Sequence, residues 1–174
     1  ALMTGCYPPR VAERGNVKNM HPHLHEDEIT IAEILKDAGY ATGCFGKWDL
    51  AKHAQRGFFA DLMPNHQGFD VMRAVGGAGP GSYFSPHRLP HLKDGPKGEY
   101  IADRLTDEAI GFIESNRDRP LLLYLAHYAV HTPVQSKAEL TEKYREKVAS
   151  MPAPEGPTSR TEHDGWGVTN LVQD

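Results

Sequence analysis

Leu121-Leu122-Leu123-Tyr124-Leu125-Ala126 is the stretch that decides the fold class of this chain. An unbroken apolar run of strand length, closed off by Pro120 before it and His127 after it, reads as a strand buried on both faces, as in a parallel sheet. Just upstream, Tyr100 to Asn116 carries Ile101, Leu105, Ala109, Phe112 and Ile113 at helical spacing, opposite Asp103, Asp107 and Glu114. That segment is predicted to be an amphipathic helix, ended by Arg117-Asp118-Arg119-Pro120. A second helix-then-strand unit lies nearer the start. Thr30 and Glu33 have the spacing of a capping box, and Ile29 and Ile34 sit where a hydrophobic staple would form. Ile31, Ile34, Leu35 and Ala38 are predicted to be the core-facing stripe, and Gly39 a left-handed stop. Tyr40 to Phe45 follows as a strand ending at Gly46-Lys47. Helices alternating with buried strands predict an α/β fold, a mixed and mostly parallel sheet flanked by helices.

The remainder is less patterned. Leu50 to Gly98 has little periodicity and many Gly, Pro and His; a stretch that long is either functional or hides small elements. Val75 to Ser82 (VGGAGPGS) has the look of a phosphate-cradling loop but lacks the Lys-Ser/Thr ending and the strand–helix setting. A further helix is predicted over Ala138 to Val148, with Leu140, Tyr144 and Val148 on one face. Residues 1–150 are read as part of one domain, and 151–174, rich in Pro, Gly and charge, as a linker or surface loop. No internal repeat is present.

Composition excludes several classes. The 174 residues have a net charge of −4, which gives nucleic acid or an anionic membrane no electrostatic attraction. No apolar run approaches the roughly 18 residues of a membrane span. Two cysteines, Cys6 and Cys44, are too few for a disulfide framework. The chain opens on Ala1-Leu2-Met3-Thr4-Gly5 with no initiator Met or signal-like stretch, and both ends are expected to be internal to a longer protein. Oligomeric state has no signature here.

In open α/β sheets ligands bind beyond the carboxyl ends of the strands. That rule selects Gly46-Lys47-Trp48-Asp49 after the first strand and His127-Tyr128-Ala129-Val130-His131-Thr132-Pro133 after the second. A lysine and a histidine at one sheet edge suit an anionic group that is held and then protonated as it leaves. The bland alternative keeps Lys47 as a solvated surface lysine and His131 as a satisfied loop histidine. Spacing alone leaves both open.

Four motifs, in order, carry a family resemblance. Ala1-Leu2-Met3-Thr4-Gly5-Cys6-Tyr7-Pro8-Pro9-Arg10 resembles the continuation of the sulfatase signature C-x-P-S-R-x-x-L-x-T-G. Gly39-Tyr40-Ala41-Thr42-Gly43-Cys44-Phe45-Gly46-Lys47-Trp48 is similar to the second signature, G-Y-x-T-x-x-x-G-K-W. Gly68-Phe69-Asp70 resembles the recurring G-F-D, and Leu123 through Pro133 the segment bearing a sulfate-contacting His. The chain thus resembles the type I, formylglycine-dependent sulfatases of the alkaline-phosphatase-like superfamily from residue 1 to about 137. The resemblance implies part of that family's α/β catalytic domain and a sulfuric ester hydrolase acting on small-molecule or glycan sulfate esters, most often carbohydrate. It also implies a formylglycine nucleophile and a calcium ion whose residues fall outside this chain, and a periplasmic, secreted or lysosomal location. By position, Lys47 would contact a sulfate oxygen, and His131 would contact sulfate and the leaving oxygen as a general acid.

Departures from the pattern leave alternatives. The formylglycine position would precede Ala1, and neither Cys6 nor Cys44 stands in it. The second signature usually continues with His, where this chain has Asp49. Asp49 reads either as a catalytic variant that meets the nucleophile hydroxyl or as a structural turn residue. His53 could replace the missing imidazole in substrate binding. His21, His23 and His25 read as surface turn residues rather than metal ligands, since no Cys or carboxylate completes a site. His66, His87 and His91 are unassigned. The alternatives to a sulfatase are a non-catalytic sulfated-glycan-binding remnant and a phosphoester hydrolase of the same superfamily.

Overall fold

The computed structural model describes residues 1–7, 24, 27–51, 53–54, 57–58, 63–76 and 79–152. The chain divides into two compact units, Ala1–Pro133 and Val134–Asp174.

In the first unit, the predicted capping box starts helix α1 (Ile31–Asp37). The Glu33 N–H donates to the Thr30 hydroxyl at 3.2 Å, and the Thr30 N–H donates to the Glu33 carboxylate at 2.7 Å. Such a cap contributes about 1 kcal/mol. The helix stops at Gly39, whose φ is +88°. Its core face differs from the predicted one. Ile29, Ile31 and Ile34 are exposed, and Ala32 is the helix residue fully buried. The cause is a close approach: the Gly68 backbone packs so tightly on Ala32 and Glu33 that a Cβ at residue 68 would collide with their main chain. Only a small side chain fits under that contact, so the isoleucine stripe turns outward and no buried staple forms.

Strand β1 (Ala41–Lys47) is buried over its first six residues. A small antiparallel pair follows, β2 (His53–Ala54) and β3 (Gly57–Phe58), then a 3-10 turn over Pro64–His66 and strand β4 (Val71–Gly76). The unpatterned stretch therefore contains short elements. Helix α2 (Ile101–Ser115) and strand β5 (Leu121–Ala126) complete the unit. Among the described residues the main sheet is three-stranded and parallel, in the order β4-β1-β5.

Both faces of that sheet are covered, and side chains alternate between them as the strand period demands. Cys44, Leu122 and Tyr124 pack toward Ala32, Trp48 and Phe69. Ala41, Phe45, Leu121, Leu123 and Leu125 pack toward Ile101, Leu105 and Phe112 of α2. Ile113, predicted to join that stripe, sits at its flank and is exposed. β5 also departs from expectation. Its apolar residues do serve both faces, but every one is only half-buried, because β5 is an edge strand among the described residues. Thr42 ties β1 to the loop before β4: its hydroxyl donates to the Gly68 carbonyl and accepts from the Asp70 N–H. Asp70 pairs with Lys36 at 2.7 Å, and that hydrogen-bonded ammonium holds its carboxyl below the usual range. The G-F-D motif is thus a joint between α1 and the sheet.

In the second unit, helix α3 (Ala138–Ala149) forms where predicted, but Leu140, Tyr144 and Val148 are all exposed. The predicted linker beyond residue 152 lies outside the described residues.

Candidate active site

The pairing of β1 with β5 runs from Ala41↔Leu121 to Gly46↔Ala126 without a break. Lys47 and His127 therefore leave the sheet side by side at its carboxyl edge, as the strand-end rule predicts. Gly46 makes this close pairing possible. Its φ is +97°, and a Cβ would run into the Ala126 carbonyl.

On the other side of β1 the register slips. Phe45 faces Arg73, but Lys47 faces Gly76, so β4 carries one extra residue and bulges. Bulges re-aim the chain and recur beside active sites. Ala74, inside this bulge, has φ +52° and is fully buried. The Tyr128 hydroxyl donates to the Ala74 carbonyl at 2.6 Å, so this carbonyl has a partner in the interior.

Past the bulge, the Trp48 N–H donates to the Gly76 carbonyl at 2.9 Å. The buried Trp48 ring meets Phe69 and Tyr124 edge-on, with centroids 5.9 and 6.1 Å away. In Gly46-Lys47-Trp48 the glycine permits the approach, the tryptophan anchors the exit, and the lysine between them is aimed. Lys47 Nζ lies 3.2 Å from the Asp49 carboxylate, with the lysine side chain 24% exposed and the aspartate 47%.

His131 is fixed by its backbone and its ring. Its N–H donates to the Tyr128 carbonyl at 2.7 Å, closing a turn. The buried Tyr83 hydroxyl lies 2.8 Å from the Tyr128 carbonyl and 2.9 Å from that of His131. Burial pushes the Tyr83 and Tyr128 phenols upward, so both remain protonated donors at neutral pH. His131 Nδ1 lies 2.6 Å from the Thr132 carbonyl. A carbonyl only accepts, so Nδ1 carries the hydrogen, and Nε2 is the nitrogen left to exchange a proton. Gly79 stands against the ring: a Cβ there would lie 2.5 Å from Nδ1.

Lys47, Asp49 and His131 thus belong to one edge of the sheet. His53 lies in β2, and its side chain is outside the described residues, as are His21, His23 and His25. His66 and His91 are exposed, while His87 is buried, 3.7 Å from Glu99. Cys44 is buried in the core, and desolvation pushes its thiol up to about 12, which leaves it an apolar packing residue. No group of three or more His, Cys, Asp or Glu able to hold a metal exists among the described residues. These residues do not fit a calcium ion by themselves. Sequence reasoning gave no role to Gly76, Gly79, Tyr83 or Tyr128, which act through backbone hydrogen bonds or, for Gly79, close approach to the His131 ring. The bulge in β4 had no sequence signal.

The fold and this edge define an α/β domain that presents a lysine and a histidine beyond neighbouring parallel strands. The chain belongs to the sulfatase family, whose model matches residues 1–161. An uncharacterized sulfatase, YdeN, of Escherichia coli (strain K12) is 31% identical over 79% of this chain and 28% of its own length. An arylsulfatase of Hemicentrotus pulcherrimus is 30% identical over 81% of this chain and 29% of its own. The crystal structure of Ps i-CgsB in complex with k-i-k-neocarrahexaose superposes with a TM-score of 0.62 at 28% identity, covering 83% of this chain and 36% of that one. The chain therefore spans less than a third of the length of these two curated relatives.

Proposed function

We propose that the protein carrying this segment is a sulfuric ester hydrolase that uses a formylglycine nucleophile outside these residues and acts on a sulfated carbohydrate. The observation that carries the reading is the shared edge: Lys47 ends β1 and His131 lies beyond the end of β5, on strands paired in register. The carbohydrate part leans on the Ps i-CgsB complex, whose bound neocarrahexaose is by its name a six-sugar ligand.

Each residue has a chemical task. The Lys47 ammonium binds a sulfate oxygen, an attraction of roughly 4 kcal/mol at 4 Å and an effective dielectric near 20. His131 donates a proton from Nε2 to the departing alkoxide oxygen. Its Nδ1–H bond to the Thr132 carbonyl supports the imidazolium that precedes this step. Asp49, 3.2 Å from Lys47, tempers the lysine's charge and restrains its position.

The test uses the full-length protein with calcium, an aryl sulfate, the matching aryl phosphate, and mass spectrometry of the nucleophile peptide. Sulfate turnover with the nucleophile converted to formylglycine is expected. Preference for phosphate, or an unconverted nucleophile with undiminished turnover, overturns the reading.

Asp49→Asn separates a tether from a turn residue. Removing the carboxylate frees Lys47 charge for sulfate, so KM is expected to hold or fall while kcat drops about tenfold as Lys47 loses its restraint. Asparagine suits a turn as well as aspartate does. Wild-type kcat in Asp49→Asn would leave Asp49 a turn residue.

A further inference from the structure

Resting on the reading of His131 as the proton donor, we propose that Tyr83 is a positioning residue that sets His131 through two backbone carbonyls. Its hydroxyl reaches both ends of the histidine's turn, at 2.8 Å from the Tyr128 carbonyl and 2.9 Å from the His131 carbonyl. The Tyr128 carbonyl also accepts the His131 N–H at 2.7 Å. The turn is thereby closed from inside by its own amide and clamped from outside by the phenol.

The clamp stands on a rigid support. Tyr83 is 1% exposed, and its carbonyl accepts the Ile101 N–H at 2.9 Å, where α2 begins. Its ring lies against Tyr100, with centroids 5.8 Å apart. A second phenol continues the linkage, since Tyr128 donates to Ala74 in the β4 bulge. The first turn of α2, the histidine turn and the bulge beside Lys47 are therefore joined through Tyr83, by its carbonyl and its hydroxyl, and through the hydroxyl of Tyr128. Reacting groups need placement to within about 0.5 Å, and that precision comes from such supporting bonds. The ring alone would fill the space, so what the hydroxyl adds is the hold on the turn. Gly79, with no Cβ, leaves room for the ring of His131.

The experiment compares Tyr83→Phe, His131→Ala and the double variant in the full-length enzyme, using an alkyl sulfate whose poor leaving group needs protonation. Tyr83→Phe keeps the ring. It is expected to lower kcat about tenfold with KM little changed, since small misplacements cost up to 10²-fold. The pH limb assigned to His131 should move as well. In the His131→Ala background the same change should cost nothing more, because the residue it positions is gone. An unaltered kcat in Tyr83→Phe overturns the proposal, and so does an equal loss in both backgrounds. Wild-type activity in His131→Ala would instead sink the role of His131 itself. Should Tyr83→Phe fail to fold, 3-fluorotyrosine at position 83 keeps shape and hydroxyl while strengthening the donor. An unchanged kcat and pH limb there also count against the clamp.

Discussion

Alanine at Lys47 or His131 in the full-length protein is expected to lower kcat/KM for sulfate esters by about 10²–10⁴-fold, with different signatures. Lys47 acts on the sulfate oxygens, which are the same in every substrate. The loss in Lys47→Ala should therefore be uniform across leaving groups, and KM should rise along with the fall in kcat. His131 acts on the departing oxygen, so its importance grows as that oxygen becomes more basic. His131→Ala should be mild on a nitrophenyl sulfate and severe on an alkyl sulfate. A plot of log kcat/KM against leaving-group pKa would steepen in His131→Ala and shift in parallel in Lys47→Ala. Parallel lines for both would remove His131 as the acid. Wild-type rates in Lys47→Ala would remove the lysine from the site.

The sequence signals that succeeded were local and periodic. Thr30 and Glu33 announce a cap because both partners lie within one turn, and the cap forms. Ile101, Leu105, Ala109 and Phe112 announce a helix face because the stripe recurs over about three turns, and it is buried. The strand-end rule needs only the strands themselves, so the edge shared by Lys47 and the loop of His131 was legible. The failures come from contacts between distant segments. Ala32 rather than the isoleucines faces inward because Gly68 approaches from another loop, and nothing near residue 32 encodes that. β4 hid because Arg73 interrupts its apolar run and its carboxyl end, Gly76-Gly77, reads as loop. Tyr83 and Tyr128 look like ordinary loop aromatics until their hydroxyls are seen on carbonyls 45 and 54 residues away in sequence. Charged groups at strand ends can be read from one sequence; the uncharged groups that aim them require the fold.

Gly46→Ala is expected to be the most damaging single-methyl change in the described sheet. Two independent costs combine. The backbone at residue 46 has φ +97°, a region that costs an L side chain on the order of 1–2 kcal/mol. The added Cβ would also meet the Ala126 carbonyl oxygen and carbon, which are main chain and cannot rotate away. Relief requires β1 and β5 to part where they pair, and overpacking of this kind costs typically 1–3 kcal/mol more. The sum, roughly 2–5 kcal/mol, falls on the residue that separates Phe45 from Lys47 across the register slip. Activity should therefore fall beyond what the lost stability explains, because the ammonium is aimed by the same few atoms. Gly111→Ala is the control. Gly111 lies within α2, and a Cβ there meets nothing within 4 Å. Alanine in a helix interior should stabilise by about 0.5–1 kcal/mol. Thermal midpoints of the two full-length variants should move in opposite directions, with Gly46→Ala lower by several degrees and its kcat reduced at temperatures where it is fully folded. If Gly46→Ala keeps the wild-type midpoint and rate, the close approach of β1 to β5 is not what fixes Lys47 at this edge.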